Sequence, residues 1–150
     1  MNYRLATIAD REELVRLRME MRREIDKDFQ PEPLSALTRD FFQRNLPSGR
    51  HVAFVCENEG QLIADVGITL FEMMPTPKSP NGRTARMMNM YVAPPYRQRG
   101  IAKALLKIAV KYARETGCAR ITLNPSVMGT PLYLNFGFQK MDNEYEYPLK

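Results

Sequence analysis

The clearest periodic element of the chain is a helix predicted from about Gly100 to Thr116, because its apolar residues recur at helical spacing. They are Ile101, Ala104, Leu105, Ile108, Ala109, Tyr112 and Ala113. An apolar strand, Met87 to Val92, precedes this helix, and a second strand, Ala119 to Leu123, follows it. A helix with one apolar face between two strands must pack on a sheet, so the pattern predicts an α/β fold.

The rest of the chain adds strands and helices to that unit. Strands are predicted at Tyr3 to Thr7, His51 to Glu57, Gln61 to Met73, Arg83 to Ala93 and, once or twice, within Phe138 to Leu149. Helices are predicted from the capping box at Thr7 up to Asp28, around Thr38 to Asn45, and at Gly129 to Asn135. With no repeat or linker in the sequence, residues 1–150 are expected to form one domain, a mixed sheet flanked by helices.

The loop that opens the long helix, Arg97 to Ala102, carries the strongest chemical signal. The first backbone N–H groups of a helix have no partner inside it, and they lie at the positive end of its dipole. We therefore expect the amides of Gln98, Arg99, Gly100, Ile101, Ala102 and Lys103 to bind a pyrophosphate. A plain strand-to-helix turn is the alternative. The segment is no Walker loop, because no Gly-Lys-Ser/Thr follows the glycine.

Composition narrows the class of protein. The formal charge of +5 favours anionic partners, but the basic residues are scattered, whereas a nucleic-acid binder needs a contiguous basic face. Apolar runs are shorter than the ~20 residues of a membrane span. The two cysteines and the absence of a secretory signal predict a cytoplasmic protein. Without a Cys or His cluster, we expect no bound metal. The short apolar runs and the scattered basic residues likewise predict no membrane and no nucleic acid among its partners.

Two sequence blocks together resemble the GNAT superfamily, the Gcn5-related N-acetyltransferases. The first runs from Asn89 to Leu106 and resembles the acetyl-CoA signature Arg/Gln-x-x-Gly-x-Gly/Ala, with Ala102 where many members have glycine. The second, Leu132 to Phe138, resembles the Leu-Tyr-x-x-x-Gly-Phe motif. The resemblance implies a mostly antiparallel sheet of about six or seven strands, splayed between strands 4 and 5. It also implies acetyl-CoA as co-substrate and a homodimer as a common assembly.

That resemblance also assigns roles to individual residues. The backbone of Met90, Tyr91 and Val92 is expected to pair with the pantetheine arm and to stabilise the oxyanion. Tyr133 matches the general acid that protonates the leaving thiolate, with a packing tyrosine on the short helix as the alternative. Asn124 and Ser126 stand where relatives contact the cofactor, with loop capping as the alternative for each. The side chains of Met87, Met88 and Met90 are expected in the core.

The general base is the least defined group. Asn124 stands where some members have a catalytic glutamate, and a carboxamide cannot accept a proton at neutral pH. Glu72 is the carboxylate to test first as a base acting through water, and a surface carboxylate without a catalytic role is the alternative. His51, the sole histidine, begins a strand away from both blocks. Cys56 and Cys118 have the character of buried hydrophobes, so we expect direct transfer in a ternary complex rather than through an acyl-enzyme.

The predicted reaction is transfer of acetyl from acetyl-CoA to a primary amine, with a small-molecule acceptor first and a protein or peptide amine second. An acidic group that attracts a cationic amine is one interpretation of Glu24, Asp26, Asp28 and Glu32, and a solvated surface is the other. A non-catalytic acyl-CoA-binding module remains an alternative function. Neither the acceptor nor the acyl-chain preference follows from the sequence.

Overall fold

The computed structural model describes residues 1–150, which form one five-stranded sheet in the order β1-β2-β3-β4-β5. The strands are β1 (Asn2–Leu5), β2 (His51–Asn58), β3 (Gln61–Glu72), β4 (Arg83–Val92) and β5 (Ile121–Thr122). The first four strands pair antiparallel, and β5 runs parallel to β4. The predicted mixed, mostly antiparallel sheet is therefore confirmed.

Four helices cover the two faces of the sheet: α1 (Arg11–Ile25), α2 (Leu34–Asn45), α3 (Ile101–Glu115) and α4 (Thr130–Phe136). One apolar cluster joins α3 and Tyr133 of α4 to one face, and a second joins α1 and α2 to the other. Along β3, Ala64 and Val66 face α3, so Asp65 between them faces α1 and α2. None of these helices is both long and apolar enough to cross a membrane.

The splay predicted between strands 4 and 5 is present. Only two residue pairs, Ala85 with Ile121 and Arg86 with Thr122, join β4 to β5. Beyond Arg86, β4 continues to Val92 with β3 as its single strand neighbour. Met88 forms a β-bulge, because Gly67 pairs with Asn89 and Ile68 with Met87. The second half of β4 thus borders a gap on its β5 side.

Several sequence predictions need correction. The structure has five strands rather than about six or seven, because no strand forms within Phe138 to Leu149. Phe138 packs on the core, whereas residues 139–150 are all exposed and pair with no strand. The strand expected at Ala119 to Leu123 shrinks to two residues, since β4 and β5 diverge there. Met88 is 50% exposed, and not in the core, because the bulge turns it outward.

Candidate functional site

The gap between β4 and β5 exposes main-chain groups of β4. Ala93 donates its N–H to the Ile63 carbonyl of β3, and strand residues alternate the side to which they direct N–H and C=O groups. The alternation directs the main chain of Met90 and Val92 into the gap and that of Tyr91 towards Asp65 of β3. Of the three predicted backbone contacts, two therefore face the gap, while the Tyr91 amide belongs to the sheet.

The loop before α3 presents a row of free amides at the end of this gap. No N–H group from Gln98 to Lys103 donates to any protein atom, and the first intrahelical bond runs from Ala104 to the Gly100 carbonyl. Gln98 and Gly100 have φ values of 61° and 78°, which turn the chain sharply into the helix. A Cβ built on Gly100 would meet no atom within 4 Å. The amides therefore surround open space, as an anion-binding site requires.

Side chains around the loop hold its shape. Arg97 donates to the Val92 carbonyl at 2.8 Å and pairs with Glu24 of α1 at 2.7 Å. Tyr91 also donates to Glu24, at 2.8 Å, so this carboxylate joins α1 to β4 and the loop. Arg99 lies over the Tyr96 ring at 5.6 Å. Arg97 and Glu24 thus position the loop, and Glu24 is not available to attract an amine.

Tyr133 is buried in α4 beside Phe138, with ring centroids 5.6 Å apart. Burial alone raises the pKa of its phenol above the ordinary value, and the hydroxyl hydrogen-bonds to no protein atom. A tyrosine in this setting keeps its proton at neutral pH and has it free to donate, as a general acid requires.

Three other predicted site residues have different surroundings. Ser126 accepts a hydrogen bond from the Gly129 N–H at 3.0 Å, and its carbonyl accepts from Thr130, so it stabilises the turn that leads into α4. Asn124 is exposed two residues beyond β5. Glu72 is exposed at the far end of β3, opposite Arg83, roughly 20 Å along the strand from Asp65 at ~3.3 Å per residue.

A pocket of about 220 Å³ opens on the other face of the sheet, between β4 and the helices α1 and α2. Its lining is largely apolar and aromatic and includes Leu34, Leu37, Phe41, Phe42 and Met88. The polar groups are Arg18, Thr38, His51, Asp65 and Asn89. Because Met88 and Asn89 belong to β4, this strand borders both the pocket and the gap.

Asp65 is the most unusual group of the pocket. Its side chain is buried, at 2% exposure, and the Asn89 amide donates to both carboxylate oxygens at 2.9 and 2.7 Å. Burial raises its pKa to about 7, against the lowering effects of Asn89 and of the Arg18 charge. A carboxyl group with a pKa near neutrality is suited to accept and release a proton.

His51 lies in the same pocket, contrary to its expected distance from the site. Its Nδ1 is 2.9 Å from Thr69 Oγ1, and a Cβ on Gly67 would come within 2.7 Å of its Nε2. The glycine therefore lets the ring lie against β3. Burial, aided by Arg18, lowers the pKa of His51 to about 4, so the ring is neutral at physiological pH.

The sequence carries one signal for Asp65. It interrupts the apolar run Leu62 to Ile68, where a carboxylate is costly to bury unless it is bonded or functional. The predicted acidic residues Asp26, Asp28 and Glu32, in contrast, lie outside the pocket. Cys56 is fully buried and Cys118 partly exposed. No group of three His, Cys, Asp or Glu residues is arranged to hold a metal ion.

Similar proteins agree with this architecture. The chain resembles the crystal structure of a predicted acetyltransferase with acetyl-CoA from Clostridium acetobutylicum, with 32% identity, a TM-score of 0.88 and coverage of 99% of this chain and 96% of that one. It also resembles a GCN5-related N-acetyltransferase from Ralstonia eutropha, at 31% identity, TM-score 0.85, and coverage of 99% and 97%.

A curated relative gives a shorter match. Rat N-acetyltransferase 8B is 33% identical over 91 residues, which are 58% of this chain and 39% of the rat protein. The chain therefore matches well under half the length of that relative. The sequence model of the acetyltransferase (GNAT) family, in contrast, matches residues 14–138, most of the chain. With that match, the splayed sheet and the two sequence blocks, the chain belongs to the GNAT acetyltransferase family.

Proposed function

We propose that this protein transfers an acetyl group from acetyl-CoA directly to the primary amine of a small molecule. The observation that carries the proposal is the position of β4, which has free main-chain groups and unpaired loop amides on one side and a pocket with a buried carboxylate on the other. The Clostridium acetobutylicum relative with acetyl-CoA supports the choice of donor.

The donor is proposed to bind through main-chain groups. The amides from Gln98 to Lys103 would hold the pyrophosphate, since they are unpaired and surround open space. The main-chain groups of Met90 and the N–H of Val92 would pair with the pantetheine arm, because they face the gap, whereas the Val92 carbonyl already accepts from Arg97. Asn124 and Ser126 form no hydrogen bond with the loop amides or with β4. Ser126 accepts from the Gly129 N–H, so its own hydroxyl proton is free for a contact with the cofactor.

The chemistry needs one proton acceptor and one proton donor. Asp65 is proposed to take the amine proton, directly or through one water, as the nitrogen attacks the thioester carbonyl. The Met90 amide would stabilise the oxyanion. When the carbon–sulfur bond breaks, Tyr133 protonates the leaving thiolate and later recovers a proton from solvent. We prefer Asp65 to Glu72 as base because Asp65 lies beside Asn89 and Tyr91 of β4.

The size of the pocket supports a small acceptor. Its volume of about 220 Å³ lies below the range of roughly 300–1,000 Å³ typical of ligand pockets. A protein or peptide amine is the second candidate, since an amino terminus with its first side chain has a similar size.

The test is a screen of primary amines with acetyl-CoA, in which thiol release and product mass are measured. We expect thiol release that depends on the amine. Tyr133→Phe should lower kcat by roughly ten- to a hundredfold, while the calorimetric Kd for acetyl-CoA stays the same. Binding of acetyl-CoA without turnover of any amine would instead support the non-catalytic acyl-CoA-binding module.

A further inference from the structure

Arg18 brings into the proposed acceptor pocket a positive charge that forms no direct ion pair, although the carboxylate of Asp65 in the same pocket attracts it. Arg18 lies on α1 and lines the pocket beside Asp65 and Asn89. Its nearest acceptors are Asn89 Oδ1 at 3.3 Å and the Met88 carbonyl at 3.5 Å, both neutral and both long for hydrogen bonds. No carboxylate oxygen lies within 4.0 Å of its nitrogens.

Two other arginines of the same helix form ion pairs with glutamates. Arg16 pairs with Glu13 and Glu20 at 2.8 and 2.7 Å, and Arg11 pairs with Glu12 at 3.0 Å. All three pairs are at the surface of the helix, where water already solvates the charges. Arg18, Arg22 and Arg23 of this helix form no such ion pair, and of these three Arg18 lines the pocket, where an unpaired charge costs most.

Arg22 strengthens the positive character of this region. It follows Arg18 by one turn, so the two guanidinium groups repel each other along one helix face. The Arg22 Nε is buried and has no hydrogen-bond partner, although the guanidinium lies 5.8 Å from the Phe29 ring. Arg18 lines the pocket with unfilled donors, and Arg22 adds positive charge one turn further along α1, so the pocket favours a planar oxyanion such as a carboxylate.

The remaining walls define the rest of the ligand. Phe41 and Phe42 form an edge-to-face pair with centroids 6.0 Å apart, and Leu37 and Met88 are exposed by 60% and 50%. They offer contact to an apolar group. Asn89 of β4 links Arg18 to Asp65, since its Oδ1 accepts from Arg18 at 3.3 Å and its Nδ2 donates to Asp65 at 2.7 Å, so a primary amine beside Asp65 would lie next to β4.

From this arrangement we infer that the acceptor is an amino acid with an apolar side chain, whose carboxylate binds Arg18 and whose amine approaches Asp65. This inference rests on the proposed acetyl transfer and specifies its acceptor. The carboxylate would neutralise the unpaired guanidinium, and the side chain would cover the exposed apolar wall. Polyamines and aminoglycosides fit poorly, since Arg18 would repel their additional charges.

The decisive experiment compares each acceptor with its uncharged counterpart. Leucine, methionine and phenylalanine are assayed with acetyl-CoA as free acids and as carboxamides, which have the same shape without the negative charge. We expect kcat/KM to favour the free acids by roughly ten- to a hundredfold, chiefly through KM, because a charge-assisted pair would be lost in the amides.

Variants assign the preference to Arg18. Arg18→Met should abolish the difference between acid and amide, and Arg18→Lys should keep part of it. Arg23→Met is the matched control, since it removes the same charge from an exposed position next to Arg22 and should keep the preference. An unchanged Kd for acetyl-CoA shows that each variant is folded.

The outcomes separate this inference from the proposed function. Equal or faster acetylation of the carboxamides would overturn the carboxylate site and leave acetyl transfer intact, and so would acetylation restricted to amines such as spermidine. A wild-type preference for acids that survives in Arg18→Met would also overturn it. Failure of the protein to bind acetyl-CoA, or to acetylate any amine, would instead contradict the proposed function itself.

Discussion

The two sides of β4 are built in different ways. On the gap side, the candidate donor site consists of main-chain groups from consecutive residues, Gln98 to Lys103, with Met90 and Val92 close by in sequence. On the pocket side, Arg18, His51 and Asp65 reach one cavity from α1, β2 and β3. A site made of local backbone can be identified from a short motif, whereas a site made of distant side chains depends on the whole fold.

The electrostatics of the two sides differ as well. The loop and the start of α3 offer partial positive charge from amides and a dipole, in a region open to solvent. The pocket buries ionisable groups, and burial raises the pKa of Asp65 to about 7 and lowers that of His51 to about 4. These two shifted groups therefore lie on the side where the proposed acceptor amine would lose its proton.

The largest expected effect is on the pocket side. Asp65→Asn should lower kcat/KM for the amine by roughly 10²- to 10⁴-fold, the usual range for a general base, and remove the ionisation near pH 7 from the pH–rate profile. The Kd for acetyl-CoA should not change, because the two sides of β4 bind different ligands. Steady-state kinetics and calorimetry measure both quantities.

Glu72→Gln is the companion variant for this test. Glu72 lies at the far end of β3, so its loss should affect turnover much less than loss of Asp65. A large decrease in Glu72→Gln with normal turnover in Asp65→Asn would identify Glu72 as the base. An equal loss of acetyl-CoA affinity in Asp65→Asn would show that the two sides are not independent.

The next effect concerns stability, because Asp65 and His51 oppose each other as pH changes. The folded pKa of Asp65, about 7, exceeds its ordinary 3.8, so its stabilising contribution is complete below pH 3.8 and is lost as pH rises to 7. The folded pKa of His51, about 4, is below its ordinary 6.5, so its contribution is present above pH 6.5 and lost as pH falls to 4.

Removing one of the two groups should reveal how the other makes the free energy of unfolding depend on pH. In Asp65→Asn, the free energy of unfolding should rise with pH between 4 and 6.5 by up to about 3 kcal/mol, from ~1.4 kcal/mol per pKa unit. In His51→Gln it should fall by up to about 4 kcal/mol between pH 4 and 7. Urea titrations across this range measure both slopes. Parallel curves for the two variants would contradict the opposed shifts.

The features that the sequence predicts correctly are those built from neighbouring residues, as on the gap side of β4. The apolar periodicity from Ile101 to Ala113 and the glycine-containing loop sufficed for α3 and its free amides, and the family needed in addition only the short block Leu132 to Phe138, because each of these depends on neighbouring residues. In the sequence Asp65 is a single polar residue within a predicted strand. Its role as a pocket residue depends on β2, β4 and α1, which are distant in sequence and surround it only in the fold. The extent of β5 depended on divergence from β4, and strand formation after Phe138 needed a pairing partner that the fold does not supply.

The smallest effect is expected on the gap side, where Gly100→Ala tests whether the loop serves the donor alone. Its φ of 78° should make alanine destabilising by about 1 kcal/mol, even though the new Cβ meets no protein atom within 4 Å. Gly60, in the turn between β2 and β3, is a matched control with φ 80° and equally open surroundings. Both variants should therefore unfold at similarly lower urea concentrations.

Gly100→Ala alone should weaken acetyl-CoA binding, by about tenfold, because its methyl group enters the space that the amides of Gln98 to Lys103 surround. Equal acetyl-CoA affinity in the two variants would show that this loop is a structural turn, and the donor would then have to bind elsewhere along β4.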